Sequence, residues 1–276
     1  MDPITDPVLQ RNHVQVRGDG PRTLVFAHGF GCDQQMWRFV APAFEATHRV
    51  VLFDHLGCGR SDLSAWNEQR HASLDGYAED LLDILDAADL HGATLVGHSV
   101  SAMIAMLAAR RRPERVARLV MIGPSPRYLD DPPDYRGGFA PADIDAMLEM
   151  IEGNMLGWAR YLAPVVMGLP PEAALTEELR ASFCAIDPYV TRRFADATFL
   201  SDNRADLPLV VHPTLVLQVS EDAIAPAEVG RYVARQVPGA AYAEIDGAGH
   251  CPHLTHPAQT IEALRAFLAT TGRSAA

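Results

Sequence analysis

The chain has 276 residues, 48% apolar and 21% charged, and a formal net charge of −12 from 35 acidic and 23 basic side chains. That length and apolar content suit one α/β-sized domain with a sizeable core and room for an insertion. The acidic balance lacks the basic footprint of a nucleic-acid binder, and no stretch approaches the roughly 18 consecutive apolar residues of a membrane-spanning helix.

The first residues, MDPITDPVLQRNH, carry acids and prolines and no apolar signal-peptide core. The four cysteines (Cys32, Cys58, Cys184, Cys251) form no C-x-x-C pair, so reduced thiols and a cytoplasmic location are expected. Next come β-branched runs alternating with helical patterns. TLVFAHG (Thr23–Gly29), RVVLFDH (Arg49–His55), ATLVGHS (Ala93–Ser99) and RLVMIGP (Arg118–Pro124) are almost continuously apolar. Parallel strands covered on both faces require this. LDGYAEDLLDILDAADLHG (Leu74–Gly92) repeats apolar residues at three and four spacings, with Gly92 expected to close the helix. ARRRPER reads as a helix C-terminus, where cations suit the dipole and Pro113 stops the turn.

From about Ser125 to Asp206 the strand pattern disappears. Four helical segments replace it, PADIDAMLEMIEGN, MLGWARYLAPVVMG, TEELRASFCAID and YVTRRFADATFLS, preceded by the turn cluster DDPPDYRGG. The strand series resumes with TLVLQVS (Thr214–Ser220) and AYAEIDG (Ala241–Gly247). The alternation predicts a doubly wound α/β fold with its chemistry at the carboxyl ends of the strands. A core of residues 1–124 and 207–276 is expected, with residues 125–206 forming a helical cap.

VGHSVSAM (Val96–Met103) nearly matches the G-x-S-x-G nucleophile elbow, with Ser101 in the last glycine position. A strand runs into Ser99 and a good helix former follows it, and Ser101 is still small. A serine hydroxyl is almost inert at neutral pH, so it needs a base held by a carboxylate. In hydrolases with this elbow the acid and then the histidine follow in the chain. Asp222 in QVSEDAIAP and His250 in DGAGHCPHLTHP lie just past strands, as that order demands. Glu221 is a rival acid with a longer side chain, and Asp246 reads as a surface turn residue. The backbone N–H groups of Phe30, in AHGFG, and Val100 are the expected oxyanion donors.

His250, His253 and His256 could be read as a metal cluster, but Pro252 interrupts a common helix and no H-E-x-x-H accompanies them. No metal and no cofactor is expected. His253 and His256 should pack against or cap the helix that starts near Pro257, and His98 should support the pocket. FDHLGCGRSD lacks the lysine of a phosphate-binding loop and reads as a structural turn. Among the aromatics of the insertion (Phe139, Trp158, Tyr161, Phe183, Phe194, Phe199), some should face the serine, since a lid over an acyl pocket is apolar beneath.

Taken with HGFGCDQQMW, LFDHLGCGRSD, GPSPRYLDDPPDYRGGF, EDAIAPAEVG and GHCPHLTHP, these motifs resemble the α/β-hydrolase superfamily. Within it they are similar to the RsbQ-like branch of bacterial stress regulators and to the plant strigolactone and karrikin receptors. The resemblance implies a mostly parallel twisted sheet flanked by helices, a four-helix V-shaped cap, and a triad of Ser99, Asp222 and His250. It also implies a pocket of Phe30, Val100, Phe139, Trp158, Leu162, Phe183, Phe199 and Ile224. Leu162 and Ile224 depart from the plant receptors, which argues against a plant-hormone-like ligand. The resemblance further implies a PAS-domain serine/threonine phosphatase as partner in stress signalling.

Two readings follow. One is a serine hydrolase acting on a small apolar ester or lactone through an acyl-enzyme. The other is a ligand sensor with slow or single turnover that acts on a partner. Acyl transfer and carbon–carbon bond hydrolysis use the same triad, whereas dehalogenation needs a carboxylate where Ser99 stands.

Overall fold

The apolar runs become the middle of one sheet. The computed structural model describes residues 5–270. Its strands are Gln15–Arg17 (β1), Arg22–Ala27 (β2), His48–Leu52 (β3), Ala93–His98 (β4), Val116–Ile122 (β5), Thr214–Glu221 (β6) and Ala241–Ala248 (β7). Across the sheet the order is β1-β3-β2-β4-β5-β6-β7. All neighbours are parallel except β1, which runs antiparallel to β3. β1 is the strand the sequence pattern does not announce: it has three residues, none fully buried, so no apolar run marks it.

The chain moves outward from β2 to β3, then returns to lay β4 on the other side of β2. Such a reversal opens a crevice at the carboxyl ends of β2 and β4, where open α/β sheets bind ligands. Both strand ends carry candidate residues: His28–Gly31 follows β2, and Ser99 follows β4.

Before the insertion come helices Pro7–Arg11 (α1), Leu74–Ala87 (α2) and Val100–Arg111 (α3). The insertion holds Pro141–Gly153 (α4), Met155–Met167 (α5), Ala174–Ala185 (α6) and Pro188–Phe199 (α7). Ala227–Gln236 (α8), Pro252–Thr255 (α9) and Pro257–Ala269 (α10) complete the fold. α2 ends earlier than Gly92. Ala88 is its C-cap, Asp89 takes a left-handed φ of 50°, and Leu90 N–H donates to the Leu85 carbonyl at 2.8 Å. An aspartate tolerates that conformation, so the helix closes in a Schellman motif without a glycine. Arg111, the last residue of α3, pairs with Asp75, and Arg112 and Arg115 beyond it pair with Asp86 and Glu114.

Alternation along each strand divides the core. Val25, Val51, Leu95 and Met121 face α2 and α3. Leu24, Phe26, Val96, Val120 and Leu217 face Trp37, α10 and the insertion. In the insertion α4 packs on α7 and α5 on α6. Its underside (Trp158, Leu162, Phe183, Phe199) merges with the second core cluster, and the site lies at that seam. Among the described residues no helix is long and apolar enough to cross a membrane.

Candidate active site

Ser99 stands at the hinge between β4 and α3 with φ 57° and ψ −124°. A non-glycine residue in this region costs on the order of 1–3 kcal/mol and persists only where its surroundings hold it. Here the Ser99 N–H donates to the Ile122 carbonyl at 2.8 Å. The strand–helix approach is also too close for a side chain at Gly97, where a Cβ would lie 2.2 Å from the Ser101 carbonyl oxygen. Sharp turn, small Gly97 and exit into a helix are the features of an elbow.

Asp222 and His250 meet from neighbouring strand ends. His250 Nδ1 lies 2.7 Å from Asp222 Oδ2. The other carboxylate oxygen accepts the N–H groups of Ile224 at 2.8 Å and Ala225 at 2.9 Å. Gln218 Nε2 donates to Asp222 Oδ2 at 3.2 Å and to the Ala225 carbonyl at 2.8 Å. A carboxylate so supplied with donors is an acceptor toward the imidazole, which places the His250 proton on Nδ1 and leaves Nε2 bare. The His250 backbone is pinned too: its N–H donates to the Val166 carbonyl at 2.6 Å, and its carbonyl accepts from His98 Nε2 at 2.9 Å. The rival Glu221 is exposed at the end of β6, and Asp246 is exposed and paired with Ser220.

The last link is open. His250 Nε2 has no partner among the described residues, and the Ser99 hydroxyl lies 3.3 Å from the Tyr128 hydroxyl. Burial pushes the Tyr128 phenol up to about 12, so it stays protonated as a hydrogen-bonding group. Catalytic hydrogen bonds are often long before substrate binds. The N–H groups of Phe30 and Val100 find no acceptor among the described residues; the second heads α3, where the first-turn N–H groups are free of intrahelical bonds.

The adjoining cavity is walled mostly by apolar side chains, as small-molecule sites are. Phe30, Phe139, Leu162, Phe183, Phe199 and Ile224 line it together with Ser99 and His250. Trp158 corrects the expectation. It lies behind the wall, its ring 4.7 Å from Phe183 and 6.1 Å from Phe30, so it backs the pocket without lining it. Tyr161 points to solvent, and Phe194 stacks on Tyr77 at 4.3 Å, below Phe30. Val100 lines nothing with its side chain; only its N–H concerns the site.

His253 packs between Trp37 and His98, at 4.6 and 4.4 Å. Its pKa falls to about 3, from burial first and then the His250 and Arg38 charges. Burial, His253 and His250 also hold His98 well below the usual imidazole range. His256 occupies the N-cap position of α10 but does not cap it with its side chain. His98, Cys251 and His253 place ligand-type atoms within 4.8 Å of one another. Yet His98 Nε2 is committed to the His250 carbonyl, and its Nδ1 faces Gly29 so closely that a Cβ there would lie 2.5 Å away. Burial raises the Cys32 and Cys251 thiols out of the thiolate range, so neither pocket cysteine competes as a nucleophile.

A family model described as the alpha/beta hydrolase fold matches residues 22–257. The chain belongs to the α/β hydrolases. It is 38% identical over 262 residues to the strigolactone esterase D14 of Arabidopsis thaliana, covering 95% of this chain and 97% of that protein. It is 34% identical over 258 residues to the karrikin insensitive 2 receptor CA of Petunia hybrida, covering 93% and 95%. A solved hydrolase from Oleispira antarctica shares 42% identity and a TM-score of 0.93 over 96% of this chain and 97% of that one. These relatives bear out the resemblance to the plant receptors, and the protein is a hydrolase.

In this α/β hydrolase, sequence reasoning missed Tyr128, Gln218, Cys32 and Cys251 at the site. Tyr128 sits inside GPSPRYLDD, a motif noticed but given no chemical role. Gln218 is the one polar residue in the apolar run of β6, buried and facing Asp222. A lone amide inside the apolar run Leu215–Val219 is a signal that could have found it.

Proposed function

We propose that this α/β hydrolase cleaves a small apolar ester or lactone through an acyl-enzyme on Ser99. The observation that carries the reading is the buried 2.7 Å pair of His250 Nδ1 and Asp222, which leaves Nε2 bare beside the serine elbow. In the reaction Ser99 Oγ attacks the carbonyl carbon while His250 Nε2 takes its proton. The tetrahedral oxyanion is met by the N–H groups of Phe30 and Val100, and His250 returns the proton to the leaving alcohol. Water then attacks the acyl carbon by the same route in reverse. Asp222 holds the imidazole tautomer and offsets its charge throughout. The apolar wall supports small apolar acyl groups, because it offers few partners for polar ones.

A second reading is favoured by the resting serine, which lies against Tyr128 with the histidine link open. There the acyl-enzyme forms and persists, and a partner reads the loaded state. A PAS-domain serine/threonine phosphatase is the candidate that the resemblance implies.

One rapid-mixing experiment with p-nitrophenyl butyrate separates the readings. Sustained turnover that disappears in Ser99→Ala supports the hydrolase. A burst of about one equivalent followed by a stall supports the sensor. Release unchanged in Ser99→Ala overturns both.

A further inference from the structure

Beneath the Phe30 loop lies a buried polar network outside the relay of Ser99, His250 and Asp222. Ser101, in the first turn of α3, donates its hydroxyl to the His28 carbonyl at 2.5 Å and lies 2.7 Å from His55 Nε2. His55 donates its backbone N–H to His28 Nε2 at 3.0 Å, and His28 Nδ1 lies 2.9 Å from the Gly29 carbonyl. All three side chains are essentially sealed from solvent.

These contacts fix the protons. Ser101 has one hydroxyl hydrogen and gives it to the His28 carbonyl, so the contact with His55 requires an Nε2–H donor. His28 Nε2 accepts, so the His28 proton is on Nδ1 and goes to the Gly29 carbonyl. Burial holds both rings below the usual imidazole range, in keeping with two neutral tautomers.

The Gly29 carbonyl and the Phe30 N–H belong to one planar trans peptide and point in opposite directions. Holding the carbonyl therefore aims the N–H. Cys32 N–H adds a second hold on the same carbonyl at 3.3 Å. The far end of the loop is fixed as well: Asp54 Oδ1 accepts the Gln34 N–H at 2.9 Å, while Oδ2 accepts the Arg60 N–H at 2.9 Å. Asp54 and His55 thus clamp the segment 28–34 from both ends, which gives the FDHLGCGRSD turn its work.

We infer that Ser101 and His55 are positioning residues that hold His28 in the tautomer and orientation aiming the Phe30 N–H at the reaction's oxyanion. Ser101 is then a functional replacement for the elbow's usual glycine. The inference rests on the acyl-enzyme reading above, in which Phe30 is an oxyanion donor.

The test compares wild type with Ser101→Gly, His55→Leu and His55→Gln. Three quantities are read: kcat and KM for p-nitrophenyl butyrate, inhibition by butylboronic acid, and Tm. The boronate forms a tetrahedral adduct on the serine and engages the oxyanion donors. Ser101→Gly and His55→Leu are each expected to lower kcat about tenfold, a fraction of the ~10²–10³ lost when an oxyanion donor is removed outright. Boronate affinity should fall in parallel, with KM within about threefold because ground-state binding is spared. His55→Gln, which keeps an N–H near the ring Nε2 position, should recover most of the loss.

A Ser101→Gly enzyme that loses Tm but keeps kcat and boronate affinity overturns the inference and leaves the hydrolase reading standing. A wild type that neither turns over nor reacts with a fluorophosphonate at Ser99 overturns that reading, and this inference with it. If the variants do not fold, imidazole nitrogen NMR of the wild type decides. The proton is expected on Nδ1 of His28 and Nε2 of His55; a charged ring or the other tautomer at either position overturns the assignment.

Discussion

The sheet rim and the helical insertion meet at one cavity and contribute opposite chemistry. All eleven histidines lie outside residues 125–206. On the rim, Asp222 receives four hydrogen bonds, and Ser101, His28 and His55 share a closed network. The insertion offers the cavity Phe139, Leu162, Phe183 and Phe199. It meets the rim through packing and a few hydrogen bonds: the Val166 carbonyl accepts the His250 N–H at 2.6 Å, Ser182 donates its hydroxyl to the Gly31 carbonyl at 2.8 Å, and the Tyr128 hydroxyl lies 3.3 Å from Ser99. A Cβ at Gly31, which has φ 73°, would lie 2.3 Å from the Phe183 ring. The exposed ion pair of Arg38 with Glu178 is of a kind worth only about 0–1 kcal/mol. Hydrogen-bonded groups have few allowed arrangements, whereas apolar walls can be exchanged at modest cost if volume is kept. The difference teaches where to look for each property: reaction type on the rim, substrate choice under the insertion.

The largest expected effect tests the rim. Asp222→Asn should lower kcat about 10⁴-fold, because an amide that donates toward Nδ1 stabilises the wrong imidazole tautomer. Glu221→Gln should leave kcat unchanged. Steady-state kinetics of the two variants decides between the neighbouring acids, and a near-wild-type Asp222→Asn enzyme would break the assignment.

The second effect is on stability. His28, His55, His98 and His253 are buried, and each is shifted below the ordinary imidazole value. Burial leads every shift. Charges from His253, His250 and His28 add to it at His98, and His28 and His71 add to it at His55. Asp54 and Asp33 partly oppose it at His28. A histidine held neutral in the folded state and free to protonate at about 6.5 when unfolded stabilises fully above that pH. Below it the unfolded chain takes up the proton first, and stability falls by about 1.4 kcal/mol per pH unit for each such group. For His253 the fall continues to about pH 3. Urea midpoints should be flat from pH 7 to 8 and drop steeply below 6.5. A flat profile down to pH 5 would place these rings in contact with water.

How far the sequence reveals this division follows from the range of the interactions. Strand positions, the elbow at Ser99, and Asp222 and His250 just past their strands are legible because each is local: an apolar run, a turn and the residue after it. The pairings of His55 with Ser101 and of Tyr128 with Ser99 span 46 and 29 residues. They exist only once the sheet order is known. Trp158 shows the same limit in the insertion. An aromatic on an apolar helix face can line the cavity or back the residue that does, and helical spacing is the same for both.

The smallest effect belongs to the insertion and sharpens the comparison most. Leu162 lines the cavity from α5 and makes no hydrogen bond with its side chain. Leu162→Phe fills space without touching the relay. A difference of one methylene in an apolar pocket is worth roughly 1–3 kcal/mol. The ratio of kcat/KM for p-nitrophenyl butyrate over the hexanoate should therefore rise about tenfold. Labelling of Ser99 by a small fluorophosphonate should keep its rate, since the rim is unaltered. If chain-length preference and labelling fell together, the wall and the rim would be mechanically coupled, and the insertion would be part of the catalytic apparatus as well as its sieve. If preference moves alone, the two regions are separable, and new acyl specificities can be built by exchanging wall residues under an unchanged rim.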